Sequence, residues 1–392
     1  MIPMPSTGMN QEPAIVAGSG QAHTEGKSPV RQEVLENTQD IDEATVEAFA
    51  ERMLGMINDA MLALMISIGH QTRLYDTMAG LPPSTSEEIA SAAELQERYV
   101  REWLGAMVVG SVVTYDPSRK TYQLPPEHAA CLARAAGPDN LANVAQFVPL
   151  LGSVEEGIVR SFRHGGGVPY SAFTRFQDIK AEDSEQVFGA TLIDATLPMV
   201  PGLVERLEIG ITGADIGCGQ GIVPNLLAQA FPNSRFVGYD LSEKGIAAAR
   251  AKAESWRLGN VRFEVEDATK LEERDRYHLI TAFDVIHDLA HPAEVVNNIY
   301  RALEPGGTFL MVEPAASSHL DENLEHAMGP FLYTVSTMHC MTVSLEQGGV
   351  GLGTAWGEQA ARQMLSEAGF SDVLVEVVEG DFFNNYFVAR KG

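Results

Sequence analysis

Cysteine is scarce: Cys131, Cys218 and Cys340 are the three thiols in 392 residues, and they lie far apart in the chain. Three scattered thiols exclude a disulfide framework and a zinc ribbon, so a reducing cytoplasm is the expected compartment. Basic charge is also short. Lysine and arginine number 27 against 53 acids, a formal net charge of −26. Phosphate binding needs clustered basic charge, so nucleic acid is not expected as the main partner. Anchoring on an anionic membrane is disfavoured for the same reason. No window is expected to supply the roughly 18–20 apolar residues of a membrane span. The N-terminus shows no basic start followed by an apolar core, so no secretory signal is expected. What is present is ample apolar material, with 45% hydrophobic and 20% charged residues. A chain of this length can bury two separate cores, and the acid excess reads first as solubility.

Residues 1–42 read as a disordered tail. Pro3, Pro5, Pro13 and Pro29 alternate with Gly8, Gly18, Gly20 and Gly26, and apolar residues recur at no useful period. Asp42 is placed to cap a helix running through Phe49, Met53, Met56, Ile57, Ala60, Leu64 and Ile68. Its 57–68 stretch is apolar on more than one face, which favours a homodimer contact over a purely internal core. Short helices at 86–90 and 97–109 follow, then two strands at 112–115 and 121–124 joined by Asp116-Pro117-Ser118-Arg119. Helix, turn, helix and wing make residues 43–135 a winged-helix domain. Its would-be recognition helix carries Glu97 and Glu102 beside Arg98 and Arg101, so dimerisation and substrate-wall roles are preferred to DNA reading. Trp103 and the methionines 53, 56, 61 and 65 read as core or interface. Residues 136–208 read as a helical linker and cap. Gly165, Gly166 and Gly167 precede Pro169-Tyr170 there, the mark of a mobile or closely approached backbone.

Over 209–392 the pattern alternates. Strands are expected at 214–217, 235–240, 261–266, 278–284, 308–312, 373–378 and 386–390, and helices at 223–231, 242–256, 293–303 and 358–368. That is a βαβ series, hence an α/β domain with a mainly parallel sheet, closed by a terminal hairpin with one antiparallel strand. The strongest motif is Asp215-Ile216-Gly217-Cys218-Gly219-Gln220-Gly221, where a strand meets a helix. Glycines there let the backbone turn tightly and approach a ligand. A dinucleotide fingerprint spaces its glycines differently, and an acid ahead of the turn repels a diphosphate but suits a cation. Nineteen residues past Gly221, Asp240 ends the next strand, followed by Leu241, and can accept ribose hydroxyls. Asp267-Ala268 ends the third strand and is placed for an adenine edge. Acids on successive strand ends, with glycines and no P-loop lysine, describe a site for a cationic adenosyl ligand.

These residues, with the strand ending at Phe283-Asp284 and the run Leu303-Glu304-Pro305-Gly306-Gly307-Thr308, resemble the class I S-adenosylmethionine-dependent methyltransferases. The resemblance implies a Rossmann-like seven-stranded sheet with an antiparallel terminal strand, and S-adenosyl-L-methionine as cofactor. It implies Gly217 and Gly219 at the methionine part, Asp240 at the ribose and Asp267 at the adenine amino group. With the winged helix, the chain resembles the small-molecule O-methyltransferases over roughly 45–392, and more narrowly a bacterial sub-group whose likeness brings no substrate.

Methyl transfer to oxygen or nitrogen needs alignment, exclusion of water and a base. His287 is the candidate base, by resemblance to the His-Asp pair of plant-type enzymes, with Asp288 orienting its ring; the alternative is a histidine that only holds its loop. The 314–357 insertion is long for a connection inside a sheet and offers Phe331, Tyr333, His339 and Trp356 as an acceptor-side cap; the alternative is a helical hairpin in a dimer. Tyr170, Arg163 and Arg175 are further acceptor candidates, Tyr170 being equally fit for core. A His339-Cys340 metal pair lacks evident further ligands, and no metal is expected. The reading is a cytoplasmic, homodimeric methyltransferase acting on O, N or S of a small molecule. Its rival is an S-adenosylmethionine-sensing winged-helix regulator without catalysis.

Overall fold

The computed structural model describes residues 41–378, 381 and 383–392, so the tail expected to be disordered lies, but for its last two residues, outside them. The chain divides into two units at Ile57/Asn58. Of the first unit the described residues form the opening turns of the helix Glu43–Gln71, started where the Asp42 carboxylate accepts the Ala44 N–H at 3.1 Å. All that follows belongs to the second unit.

The winged helix forms as its pattern requires. Thr85 caps the helix Ser86–Ala92 in a reciprocal box with Glu88. The next helix, Glu97–Val109, buries Val100, Trp103, Leu104 and Met107 on one face. Full burial of Leu104 and Met107 stabilises by roughly 1.5–3 kcal/mol each. Strands β1 (Thr114–Asp116) and β2 (Thr121–Gln123) pair as the wing. Leu62, Met65 and Ile66 of the long helix pack on this core, and the Trp103 indole donates to the Met65 carbonyl at 2.8 Å.

The expectation of no membrane-length apolar window needs correction. Glu43–Gln71 is long and apolar enough by length and composition to cross a membrane. Its last turns are instead built into the winged-helix core, with Ser67, Gly69 and His70 buried.

Seven strands form the main sheet: β3 (Thr212–Ile216), β4 (Arg235–Asp240), β5 (Val261–Val265), β6 (Tyr277–Phe283), β7 (Leu303–Pro314), β8 (Asp372–Glu376) and β9 (Asn384–Arg390). They lie in the order β5-β4-β3-β6-β7-β9-β8. β9 runs antiparallel to both its neighbours, so the odd strand is last in the chain yet sits one place inside the edge. Helices cover both faces. Val295, Val296, Ile299 and Leu365 pack on one side, Leu203, Leu207, Val223 and Leu227 on the other. The chain winds outward from β3 through β4 to β5, then returns to β6 on the far side of β3. A crevice opens at the strand carboxyl ends where that order reverses.

The helix Phe176–Thr191 crosses this crevice. It is held by Lys244 and Gln220 on Asp178, and by the Ser242 hydroxyl on Gln177 at 3.1 Å. The triple-glycine segment approaches its neighbour as closely as the sequence suggests. A Cβ on Gly167 would lie 1.8 Å from the Thr342 carbonyl, and Val168 donates its N–H to the Thr342 hydroxyl at 2.9 Å.

Candidate functional site

The crevice is a cleft of about 850 Å³. Asp215, Gly217, Cys218, Gly219, Asp240, Leu241, Asp267, Ala268, Phe283 and Asp284 all line it, as does Tyr170 from the linker. The three glycines of the turn do different work. Gly217, at φ 68, faces Val285, whose methyl would lie 2.5 Å from an added Cβ. Gly219, at φ 51, has open space there, so its bare backbone faces the cleft. Gly221 is the correction: it does not line the cleft, and its missing side chain lets the next helix pack on Ala249 and Phe263.

Asp240 is aimed by the backbone. Its two oxygens accept the N–H of Gly219 at 2.8 Å and of Ser242 at 2.7 Å, while burial raises its pKa. Asp215 accepts the Thr281 hydroxyl at 2.5 Å, and burial with the nearby Asp240 pushes it up to about 7. Burial also raises Asp267, but hydrogen bonds from the Thr269 hydroxyl and N–H, with Lys270, hold it below the ordinary value. Acids without an adjacent free cation, around an unobstructed glycine backbone, fit a cationic adenosyl group such as S-adenosylmethionine.

Beside the cleft at Asp284 lies an inner pocket of about 110 Å³. Phe176, Lys180, Asp284 and Asp288 line both spaces. Asp284 stands at φ 61, a strained conformation for a non-glycine residue, and its carboxylate lies 2.6 Å from the Lys180 ammonium. His287 forms part of the pocket wall, 2% exposed. Its Nδ1 lies 2.6 Å from Glu313 Oε2, whereas Asp288 makes no hydrogen bond to it. The partner that orients the ring is therefore Glu313, not Asp288. Glu313 is itself fixed by the N–H of Ile286 at 2.8 Å and the Trp356 indole at 3.2 Å. Burial pushes the His287 pKa down, and the Glu313 charge outweighs it, leaving the imidazole more basic than usual. The Cys340 thiol, kept protonated by burial, lies 3.5 Å from His339 Nδ1. Burial raises Asp288 to about 7.

Of the acceptor candidates, Phe331 lines the inner pocket. Arg163 does not; it is exposed at the end of the helix Glu155–His164. Arg175 turns away to Gln146. Tyr333 lies off both walls, its phenol accepting from Asn323 at 3.1 Å. Trp356 is core and serves Glu313. His339 is fully buried off both walls, stacked on Phe176 at 3.7 Å, and burial lowers it to about 3. Among the described residues no group of acids, histidines and cysteines could hold a metal.

Sequence reasoning missed Glu313 and Lys180. Glu313 had a signal, an acid following the apolar run Phe309-Leu310-Met311-Val312, like Asp240 at the end of β4. Lys180 had none, since its helix precedes the sheet by thirty residues or so of chain.

An open α/β sheet with a glycine turn and acids on successive strand ends is the architecture of adenosyl-cofactor methyltransferases, and the comparisons agree. Residues 210–369 match a family model described as a methyltransferase domain, and residues 60–134 one described as an Rv2258c-like winged HTH domain. The chain thus carries a winged-helix domain followed by a methyltransferase domain. A trans-aconitate 2-methyltransferase of Variovorax paradoxus is 34% identical over 101 residues, 26% of this chain and 37% of that protein. The curated relatives that head the comparison are spanned over 37–55% of their length. Human N-acetylserotonin methyltransferase, solved with S-adenosylmethionine, superposes with a TM-score of 0.65 at 16% identity, over 91% of this chain and 99% of that one. An O-methyltransferase family protein of Burkholderia thailandensis gives 0.63 at 14% identity, over 90% and 99%. At such identities these two structures establish the shared fold.

Proposed function

We propose that the protein transfers a methyl group from S-adenosylmethionine to a hydroxyl of a small molecule. The observation that carries this reading is the His287–Glu313 dyad on the wall of a pocket that shares Phe176, Lys180, Asp284 and Asp288 with the adenosyl-type cleft. Asp240 would hold the ribose, Asp267 the adenine side, and the Gly217–Gly219 turn the methionine part. When bound, the cofactor supplies an electrophilic methyl on a sulfonium. The chain's own residues do the rest. The carboxylate of Glu313 fixes the Nδ1–H tautomer of His287, which leaves Nε2 to take the proton from an acceptor hydroxyl. Glu313 then stabilises the imidazolium that results. The rings of Phe176 and Phe331 exclude water, so the oxygen that forms is not resolvated before it reacts.

The acidic surface disfavours the alternative of a DNA-reading sensor, and the carboxylates of Glu97 and Glu102, paired with Arg101 and Arg98 on the would-be recognition helix, support the same choice. The same domain offers Met61 and Ile68 exposed on the long helix, 56% and 43%, which supports a homodimer formed through that face.

Calorimetric titration with S-adenosylmethionine and S-adenosylhomocysteine tests the cofactor reading. Micromolar binding is expected for wild type, weakened at least tenfold in Asp240→Asn. Failure of both ligands to bind would remove the methyltransferase reading.

A further inference from the structure

The inner pocket combines three features that bear on what it accepts. Its apolar wall is aromatic: Phe147 meets Phe176 edge-on at 6.3 Å and Phe331 at 5.5 Å. Its size admits no more than one ring, since an apolar cavity of roughly 150 Å³ accommodates benzene and this one measures about 110 Å³. Its charge is lopsided. Asp183, Asp284, Asp288 and Asp381 stand on the wall, with Lys180 and His287 as its only cationic or protonatable basic side chains among the described residues.

Neither cation is free. The Lys180 ammonium lies 2.7 Å from Asp183 and 2.6 Å from Asp284, and His287 is bound to Glu313. An incoming carboxylate would therefore meet acids with no unpaired cation to receive it. Asp381 is likewise satisfied, accepting the Tyr386 hydroxyl at 2.6 Å and the Asn384 amide at 2.9 Å. Asp288 is different. It faces both the cleft and the pocket, yet its carboxylate has no hydrogen-bond partner among the described residues. A half-buried carboxylate on a pocket wall with no partner of its own is open to a donor on the ligand.

Resting on the methyltransferase reading above, we propose that the pocket selects a single aromatic ring carrying a hydrogen-bond donor beside the reacting hydroxyl. Asp288 receives that donor, and carboxylate-bearing acceptors are refused. The chain would thereby part company with the trans-aconitate enzymes it resembles over a hundred residues, because a polycarboxylate needs free cations that this wall does not offer. Selectivity arises as much from repulsion of the wrong ligand as from attraction of the right one.

The test uses the full chain saturated with S-adenosylhomocysteine, and reads binding of catechol, 2-(aminomethyl)phenol, salicylate and trans-aconitate by calorimetry. Catechol and the amine are expected to bind at least about a hundredfold more tightly than the two carboxylates, since juxtaposed like charges are strongly unfavourable. An amine preferred over catechol, with the preference lost in Asp288→Asn, assigns the donor as a cation; equal binding of the two, both weakened in Asp288→Asn, assigns it as a hydroxyl-type donor. Asp183→Asn, which removes one of the two carboxylates on Lys180 and one negative charge from the wall, should narrow the gap for salicylate about tenfold. Salicylate or trans-aconitate binding as well as catechol overturns the proposal, as does unaltered binding of catechol and the amine in Asp288→Asn. Failure of S-adenosylhomocysteine itself to bind would instead refute the methyltransferase reading, so the two failures are distinguishable.

Discussion

Replacing Glu313 by glutamine isolates the one contact on which the proposed proton transfer depends. The change is isosteric and keeps the carbonyl oxygen, but replaces the other oxygen with an amide that donates. Four donors converge on the native carboxylate: the N–H groups of Val285 and Ile286 on one oxygen, His287 Nδ1 and the Trp356 indole on the other. The amide nitrogen must face one of those pairs. Facing His287, it imposes the wrong tautomer and places the proton on Nε2, where a base needs its lone pair. Facing the backbone, it leaves two buried N–H groups without an acceptor. A hydrogen bond to a charged partner contributes about 1.5–3 kcal/mol, which at 1.4 kcal/mol per tenfold corresponds to a loss of roughly ten- to a hundredfold in kcat. The pH profile gives the sharper readout. Glu313 makes His287 more basic than usual, so the neutral base appears only as pH rises above the ordinary histidine range near 6.5. The acid limb of kcat/KM should therefore lie above 6.5 in wild type and move to lower pH in Glu313→Gln. The assay is release of S-adenosylhomocysteine over pH 5–9, with cofactor affinity and thermal unfolding followed in parallel. Trp356→Phe serves as control, because it removes a neutral hydrogen bond from the same oxygen and leaves the base intact. Wild-type turnover with an unmoved acid limb in Glu313→Gln would refute the dyad.

Cofactor affinity should itself depend on pH. Asp215 is pushed up to about 7 in the free protein, so below that pH the carboxyl is protonated and must lose its proton to face a cation. Binding of S-adenosylmethionine should weaken as pH falls through about 7, with proton release measurable in buffers of different ionisation enthalpy; flat affinity from pH 6 to 8 would contradict this. Sedimentation should show a dimer that Met61→Glu dissociates without unfolding, since a charge on that exposed apolar position cannot be buried against a second copy; a monomeric wild type would sink the homodimer reading.

What the sequence by itself determined is the part governed by local rules. Capping residues, apolar period and glycine turns set the helices and strands of the sheet to within a residue or two, except that β7 begins five residues before the expected 308, and the acids at Asp215, Asp240 and Asp267 followed because strand ends converge in any open α/β sheet. The order of strands placed them on one crevice. What only the tertiary structure decided are contacts between segments remote in the chain. Lys180 reaches Asp284 across about a hundred residues, and Glu313 reaches His287 from the neighbouring strand. The acceptor wall draws on residues from Val144 to Asn384. Asp288 is adjacent to His287 in sequence, yet in the short helical turn Ile286–Asp288 only His287 meets Glu313, while Asp288 lines the cleft and the pocket. Arg163, Tyr333, Trp356 and His339 have suitable chemistry for an acceptor site, but Arg163 and Tyr333 are exposed away from its walls and packing buries Trp356 and His339 off them. Side-chain direction at a loop or irregular helix depends on what it packs against, and no spacing rule along one chain segment encodes that.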